Sequence, residues 1–196
     1  MQTKEKILQK ALELFNTYNY SSISVRDIAR SLKMSPGNLS YHFAKKEDIL
    51  TALLEDLKTN NSKYYQDYKL QKSTKENFLR LMENIFHSQF SYRGVLIAKS
   101  FLLQTREKTR DLDYDQHIKT RKRYLKAILS ELNESREILV IEDDMKFLVS
   151  FISLLERFWL LESKLEIQDQ DQTAIVKHYV GLLERQLELF TPQILT

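Results

Sequence analysis

Cysteine is absent from the 196-residue chain. That removes disulfides, thiolate nucleophiles and Cys-ligated zinc together, and a reducing, cytoplasmic setting is expected. Glycine occurs three times and proline twice. Sheets and long loops need turn residues at regular intervals, so this shortage points to an all-α fold. Three glycines build neither a GxGxxG loop nor a P-loop, and GxSxG and HExxH do not occur. His42, His87, His117 and His178 lie far apart, and no carboxylate has an evident apolar setting that would shift its pKa. Catalysis, a metal and a cofactor are therefore not expected. No run approaches the ~20 uninterrupted apolar residues of a membrane span. The first residues, Met1-Gln2-Thr3-Lys4-Glu5-Lys6, mix charges and lack the apolar core of a signal peptide, so no membrane partner is expected.

What the chain does contain is unevenly spread charge. The formal net charge is +3, from 30 basic and 27 acidic residues. Residues 1–46 hold eight Lys/Arg and three acids, a net of +5, which leaves −2 for the remainder. A basic head on a slightly acidic body suits an anionic partner for the head.

Helical periodicity runs through the whole sequence. Ile7, Leu8, Ala11, Leu12 and Phe15 paint one stripe on a first helix that starts at Thr3 as N-cap and ends near Tyr18, with Asn19 in a left-handed stop. Ser24 caps a second helix, with Asp27 three residues on as in a capping box. Val25, Ile28, Ala29 and Leu32 form its buried face, and Lys33-Met34 makes a tight turn. Ser35-Pro36 then restarts the chain as N-cap and N1 proline. The third helix is short, with Leu39 and Phe43 inward. A fourth begins near Lys46-Glu47-Asp48, carries Ile49, Leu50, Leu53, Leu54 and Leu57, and is expected to fray or bend at Thr59–Ser62. Five further helices are predicted, about Lys75–Ser91, Val95–Gln104 (after an interruption at Arg93-Gly94), Asp113–Leu132, Asp144–Lys164 and Asp171–Phe190. About nine helices result, divided into a head of residues 1–47 and a body of 48–196.

Two helices joined by a three- or four-residue turn, the second short and exposed, make a helix-turn-helix. Its second helix presents residues to base edges in the major groove. Here the outward residues are Ser35, Pro36, Gly37, Asn38, Ser40 and Tyr41, small or hydrogen-bonding and free of acid. Gly37 lowers helix stability, so close backbone approach to a duplex is a reason for its presence.

These elements resemble the tetracycline-repressor (TetR/AcrR) type of transcriptional regulator. The match runs through Ile7-Leu8, Ala11 and Leu14-Phe15, then residues 20–29, then Ser35-Pro36-Gly37-Asn38-Leu39-Ser40-Tyr41-His42-Phe43, and ends on Lys46-Glu47-Asp48-Ile49-Leu50. It covers about a quarter of the chain. The resemblance implies a phosphate contact from Ser24, DNA contacts from Arg26, Ser35, Gly37, Asn38, Tyr41 and His42, and a backbone clamp from Lys46 in preference to Lys45. His42 has a second reading, as packing against the first helix. The chain departs from the family where Asn19 replaces the usual glycine and Ser40 the usual tyrosine.

The same resemblance implies a homodimer on a pseudo-palindromic double-stranded DNA operator, released by a small-molecule effector. Pairing is expected through the last two helices, with Phe147, Phe151, Leu154, Leu155, Phe158, Tyr179, Leu182 and Leu183 at the interface. Phe78, Met82, Phe86, Phe90, Phe101, Tyr124 and Trp159 are candidates to line an effector pocket; aromatics at helical spacing also read as plain core. The run Lys119-Thr120-Arg121-Lys122-Arg123 reads as a solvated helix face, with an anion site the other reading. Two rival functions share parts of this pattern: a constitutive DNA-binding protein with no effector, and a helical scaffold.

Overall fold

The computed structural model describes residues 2–105, 112–166 and 171–192, and the side chains of 101–117 and 166 lie outside that description. Nine helices and no strand are formed among the described residues. None of these helices is long and apolar enough to cross a membrane. The chain divides into two compact units. One comprises Met1–Ser62 with Ser88–Glu107, the other Lys63–His87 with Lys108–Thr196.

In the first unit, α1 (Thr3–Tyr18) buries Ile7, Ala11 and Phe15 along one stripe. Its N-cap is Gln2 and not Thr3, because the Gln2 N–H reaches back to Glu5 Oε2 at 2.9 Å. Asn19 ends the helix with φ 67°, the expected positive sign, but ψ is 152°. That is the mirror of the extended region, a conformation that only glycine enters freely, and not the left-handed helical well. α2 (Val25–Ser31), α3 (Pro36–His42) and the start of α4 (Lys46–Lys69) follow. α4 runs unbroken through residues 59–62, where a bend was expected. No glycine or proline interrupts its ladder there, and two of its polar side chains bond without leaving helical geometry. Ser62 Oγ donates to Lys58 O at 2.8 Å, and Asn60 Nδ2 to Tyr92 Oη at 3.4 Å.

α5 (Lys75–Ser91) and α6 (Arg93–Thr105) are parted by Tyr92 alone, so Arg93-Gly94 opens a helix instead of interrupting one. Gly94 marks where α6 lies on α1. A Cβ there would stand 2.2 Å from Phe15 O and 2.8 Å from Asn16 N. Asn16 braces the contact, donating from Nδ2 to Ser91 O (2.8 Å) and accepting the Gly94 N–H on Oδ1 (2.9 Å). Val95 and Ala98 of α6 thereby join the core made by α1 to α4.

The second unit packs the end of α4 and most of α5 with α7 (Leu112–Glu134), α8 (Glu142–Glu166) and α9 (Gln172–Glu188). Phe78, Leu81, Met82, Ile85 and Phe86 of α5, Leu125, Ile128, Leu129 and Leu132 of α7, and Leu148, Ile152 and Trp159 of α8 are all buried in this unit. Trp159 holds its ring 4.9 Å from Phe86 and 5.4 Å from Tyr179. A charged pair penetrates this interior. Arg121 Nε lies 2.6 Å from Glu156 Oε2, and the Glu156 side chain keeps only 2% of its surface exposed. The basic run 119–123 is thus not wholly a solvated face: Arg121 turns inward. Burial beside the Glu156 carboxylate pushes the Tyr65 hydroxyl well above its usual range.

Two helices share one left-handed stop made without glycine. After α2, the Lys33 N–H bonds Arg30 O at 3.1 Å and the Met34 N–H bonds Ala29 O at 3.0 Å, with Lys33 at φ 54°. After α7, Arg136 (φ 60°) and Glu137 repeat the pattern onto Asn133 O and Leu132 O. Both are Schellman stops with a Cβ-bearing residue in the left-handed position, the consequence of so few glycines.

Candidate nucleic-acid interface

Local chemistry sets α2 and α3. Ser24 accepts the Asp27 N–H on Oγ at 3.2 Å, and Asp27 Oδ2 accepts the Ser24 N–H at 2.9 Å. The Ser24 hydroxyl also donates to Asp27, and this bond, followed by the backbone one, holds the Asp27 carboxyl below the usual carboxylate range. The Schellman stop at Lys33 then turns the chain, and Ser35 Oγ caps α3 by accepting the Asn38 N–H at 3.1 Å. Pro36 sits at the helix start, where a missing N–H breaks no helical bond.

Leu39 is fully buried and Phe43 nearly so, and together they anchor α3 on the head's core. With that face fixed, Ser35, Pro36, Gly37, Asn38, Ser40 and Tyr41 all stand in solvent, as do Ser24 and Arg26. Tyr41 is 86% exposed. His42 is half-buried, its ring edge-on to Tyr41 at 5.3 Å. A Cβ added at Gly37 would meet nothing within 4 Å, so no packing inside the chain calls for glycine at this position. The exposed set on α3 is uncharged and free of acid.

Lys46 is placed differently. Its Nζ donates to Tyr20 O at 2.8 Å and to Ile23 O at 2.7 Å, and lies 4.1 Å from the centre of the Tyr20 ring. Desolvation lowers its pKa, against the adjoining Glu47 carboxylate, which raises it. Tyr20 Oη donates to Glu47 Oε1 at 3.2 Å. Burial and that carboxylate push the Tyr20 hydroxyl up to about 12. Sequence reasoning gave Tyr20 and Glu47 no role. Both lie inside the stretch that carried the resemblance, but their partners are more than twenty residues away along the chain.

The body candidates do not gather into one place. Phe78, Met82, Phe86 and Trp159 are closed off from solvent in the second unit's core. Tyr124 is 54% exposed, its ring 6.4 Å from that of Tyr65. Phe90 belongs to the first unit, half-buried under the Arg93 guanidinium at 4.8 Å. The Phe101 side chain lies outside the described residues. Of the pairing candidates, Phe147, Leu154 and Phe158 of α8 are about half exposed, Phe151 and Leu155 are partly covered, and Leu182 of α9 is exposed. Tyr179 and Leu183 are fully buried, so they are core residues of their own unit and not of a pairing face. They share a stripe with Ile175, Val176 and Leu187, one helical position away from the outward face.

A short exposed helix held across its predecessor by a tight turn, on a core closed by α1 and α4, defines the class: a helix-turn-helix protein with a helical body. The family described as bacterial regulatory proteins, tetR family, matches residues 7–53. Residues 7–53 are thus similar to the head of the tetR family of bacterial regulatory proteins. The chain is 32% identical over 94 residues to the probable HTH-type transcriptional regulator YttP of Bacillus subtilis (strain 168), a match covering 46% of this chain and 45% of that relative. The match thus spans about half the length of that curated relative. The fold is similar to that of a TetR-family transcriptional regulator from Marinobacter aquaeolei VT8, with a TM-score of 0.84 at 24% identity over 98% of this chain and 92% of the other. It is also similar to the transcriptional regulator FadR of Bacillus subtilis in complex with stearoyl-CoA, with a TM-score of 0.64 at 21% identity over 91% and 96% of the two chains.

Proposed function

We propose that this protein is a DNA-binding transcription regulator of the repressor kind, which grips a pseudo-palindromic operator as a homodimer and is released by a small molecule. One observation carries the DNA reading: the exposed, acid-free face of α3, in which Gly37 borders open space and Tyr41 stands free. A glycine that weakens a helix by up to about 1 kcal/mol and has no packing reason for its presence fits a surface that another backbone approaches closely. Tyr41, Asn38, Ser35 and Ser40 supply the donors and acceptors that read base edges and phosphates. Ser24 and Arg26 flank them on α2.

Pairing is supported by the outward stripe Phe147, Phe151, Leu154 and Phe158 on α8, an apolar row at helical spacing with Leu182 beside it on α9. Two heads joined in this way would place their α3 helices on half-sites one duplex turn apart. An effector is supported by the complex of a similarly folded regulator with stearoyl-CoA. The closed packing of Phe86 on Trp159 favours the second reading, a constitutive DNA-binding protein.

Selection of bound sequences from a random duplex pool tests the proposal. An enriched inverted repeat, lost in Tyr41→Ala, is the expected result. No enrichment at low salt from folded protein overturns it, and an operator affinity that no cell extract changes leaves only the constitutive reading.

A further inference from the structure

Lys46 is the residue for which family resemblance and geometry give different roles. A lysine that clamps a phosphate holds its ammonium outward, with its three N–H groups toward solvent. The Lys46 ammonium faces into the head. Two of its N–H groups are taken by Tyr20 O and Ile23 O, and the Tyr20 ring covers it at cation–π distance. Its neighbour Lys45 is exposed and uses its backbone N–H to bond Asp48 Oδ2 at 3.1 Å.

The carbonyls that Lys46 holds belong to a tight turn, closed by the Ile23 N–H on Tyr20 O at 3.3 Å. Ser24 is the next residue, and it starts α2. Glu47 reaches the same turn through Tyr20 Oη. The first two residues of α4 thus fasten the segment from which Ser24 and Arg26 project.

Resting on the DNA-binding reading above, we propose that Lys46 is a positioning residue: its ammonium clasps the 20–23 turn to the start of α4 and so sets where the uncharged Ser24 meets the DNA backbone, without itself neutralising a phosphate. The two roles have different salt signatures. Each phosphate neutralised adds about 0.9 to the slope of log affinity against log salt. Losing a direct contact flattens that slope, whereas losing a clasp lowers affinity at every salt concentration alike.

The experiment is a salt titration of wild type, Lys46→Met and Lys45→Met on one mixed-sequence duplex long enough for two half-sites. Lys45→Met removes the same charge one residue away and controls for long-range attraction. For Lys46→Met the expected result is binding weakened about tenfold, the scale of one charge-assisted hydrogen bond, on a line parallel to the wild type's. A Lys46→Met line flatter by about 0.9 per head, beyond any flattening in Lys45→Met, overturns the clasp and restores the phosphate contact. Unchanged affinity overturns both roles. Should Lys46→Met not fold, NMR of the wild type's lysine ammonium groups decides: the Lys46 signal is expected to be protected from exchange in the free protein and unmoved by duplex. A signal that appears or shifts only on adding duplex refutes the clasp. Wild-type protein that binds no duplex at all sinks the DNA-binding reading itself, a failure distinct from a flattened Lys46→Met line.

Discussion

Gly94→Ala is the substitution whose consequence follows most directly from distances. The new methyl carbon would stand 2.2 Å from Phe15 O, 2.4 Å from Phe15 C and 2.8 Å from Asn16 N, where ordinary contact begins near 3.4 Å. All three are backbone atoms of α1, so no side chain can swing aside. The helices must part by about an ångström, against an Asn16 brace that bonds both Ser91 O and the Gly94 N–H. Overpacking of this kind costs about 1–3 kcal/mol. Weakening the two hydrogen bonds adds about 1 kcal/mol each. The better helix propensity of alanine returns up to about 1 kcal/mol. The net is about 2–4 kcal/mol, which for a chain of this size lowers Tm by about 5–15 °C. Thermal unfolding followed by circular dichroism reads it. Gly181→Ala is the matched control, since a Cβ there meets nothing within 4 Å, and its Tm should hold or rise. A Gly94→Ala protein melting within a degree of wild type would refute the close contact of α1 with α6.

Gly37→Ala should leave Tm unchanged or raise it slightly while weakening binding to a selected duplex by about tenfold, a separation of stability from affinity; equal affinity would remove the argument for backbone approach at Gly37. Glu156→Ala strands the Arg121 charge in the body's interior and should destabilise by about 3 kcal/mol, the low end for a broken buried pair because a third of the Arg121 side chain keeps solvent; a loss under about 1 kcal/mol in urea unfolding would show that the pair is screened like a surface one. Asp27, whose folded pKa lies below its ordinary 3.8, contributes stability that is present above pH 3.8 and lost as pH falls through the folded value. Asp27→Asn should therefore show a shallower acid limb than wild type, and identical limbs would refute it.

The head was legible because its signals are short-range. Ser24 and Asp27 are three residues apart, Ser35 caps a proline-started helix, and the apolar stripes declare which faces turn inward. What escaped the sequence was partnership across distance. Nothing near Lys46 reveals that its partners are the carbonyls of residues 20 and 23, because backbone acceptors have no sequence signature. Arg121 looked solvated among basic neighbours, yet it stands at helical spacing from Leu125, Ile128 and Leu132, and strict register places it on the buried face. The two stripes of α9 merged for the same reason: Tyr179 and Leu183 differ from Leu182 by one position, and side-chain type alone does not say which position faces a second chain.

Asn19 and Lys46 are parts of one device, and their coupling is measurable. Asn19 holds φ 67° and ψ 152°, a conformation that costs a Cβ-bearing residue about 1–3 kcal/mol. The turn that follows it is the one the Lys46 ammonium fastens. Asn19→Gly alone should raise stability by about 1 kcal/mol, since glycine enters this region without steric cost. With Lys46→Met in place, the turn is released and Asn19 is free to return to negative φ, so glycine should confer less. A double-mutant cycle reads the difference as a coupling energy, and values beyond about 0.5 kcal/mol exceed what independent sites show. If Asn19→Gly stabilises equally in both backgrounds, the strained residue and the clasp act separately, and the strain at Asn19 is maintained by the packing of α1 instead.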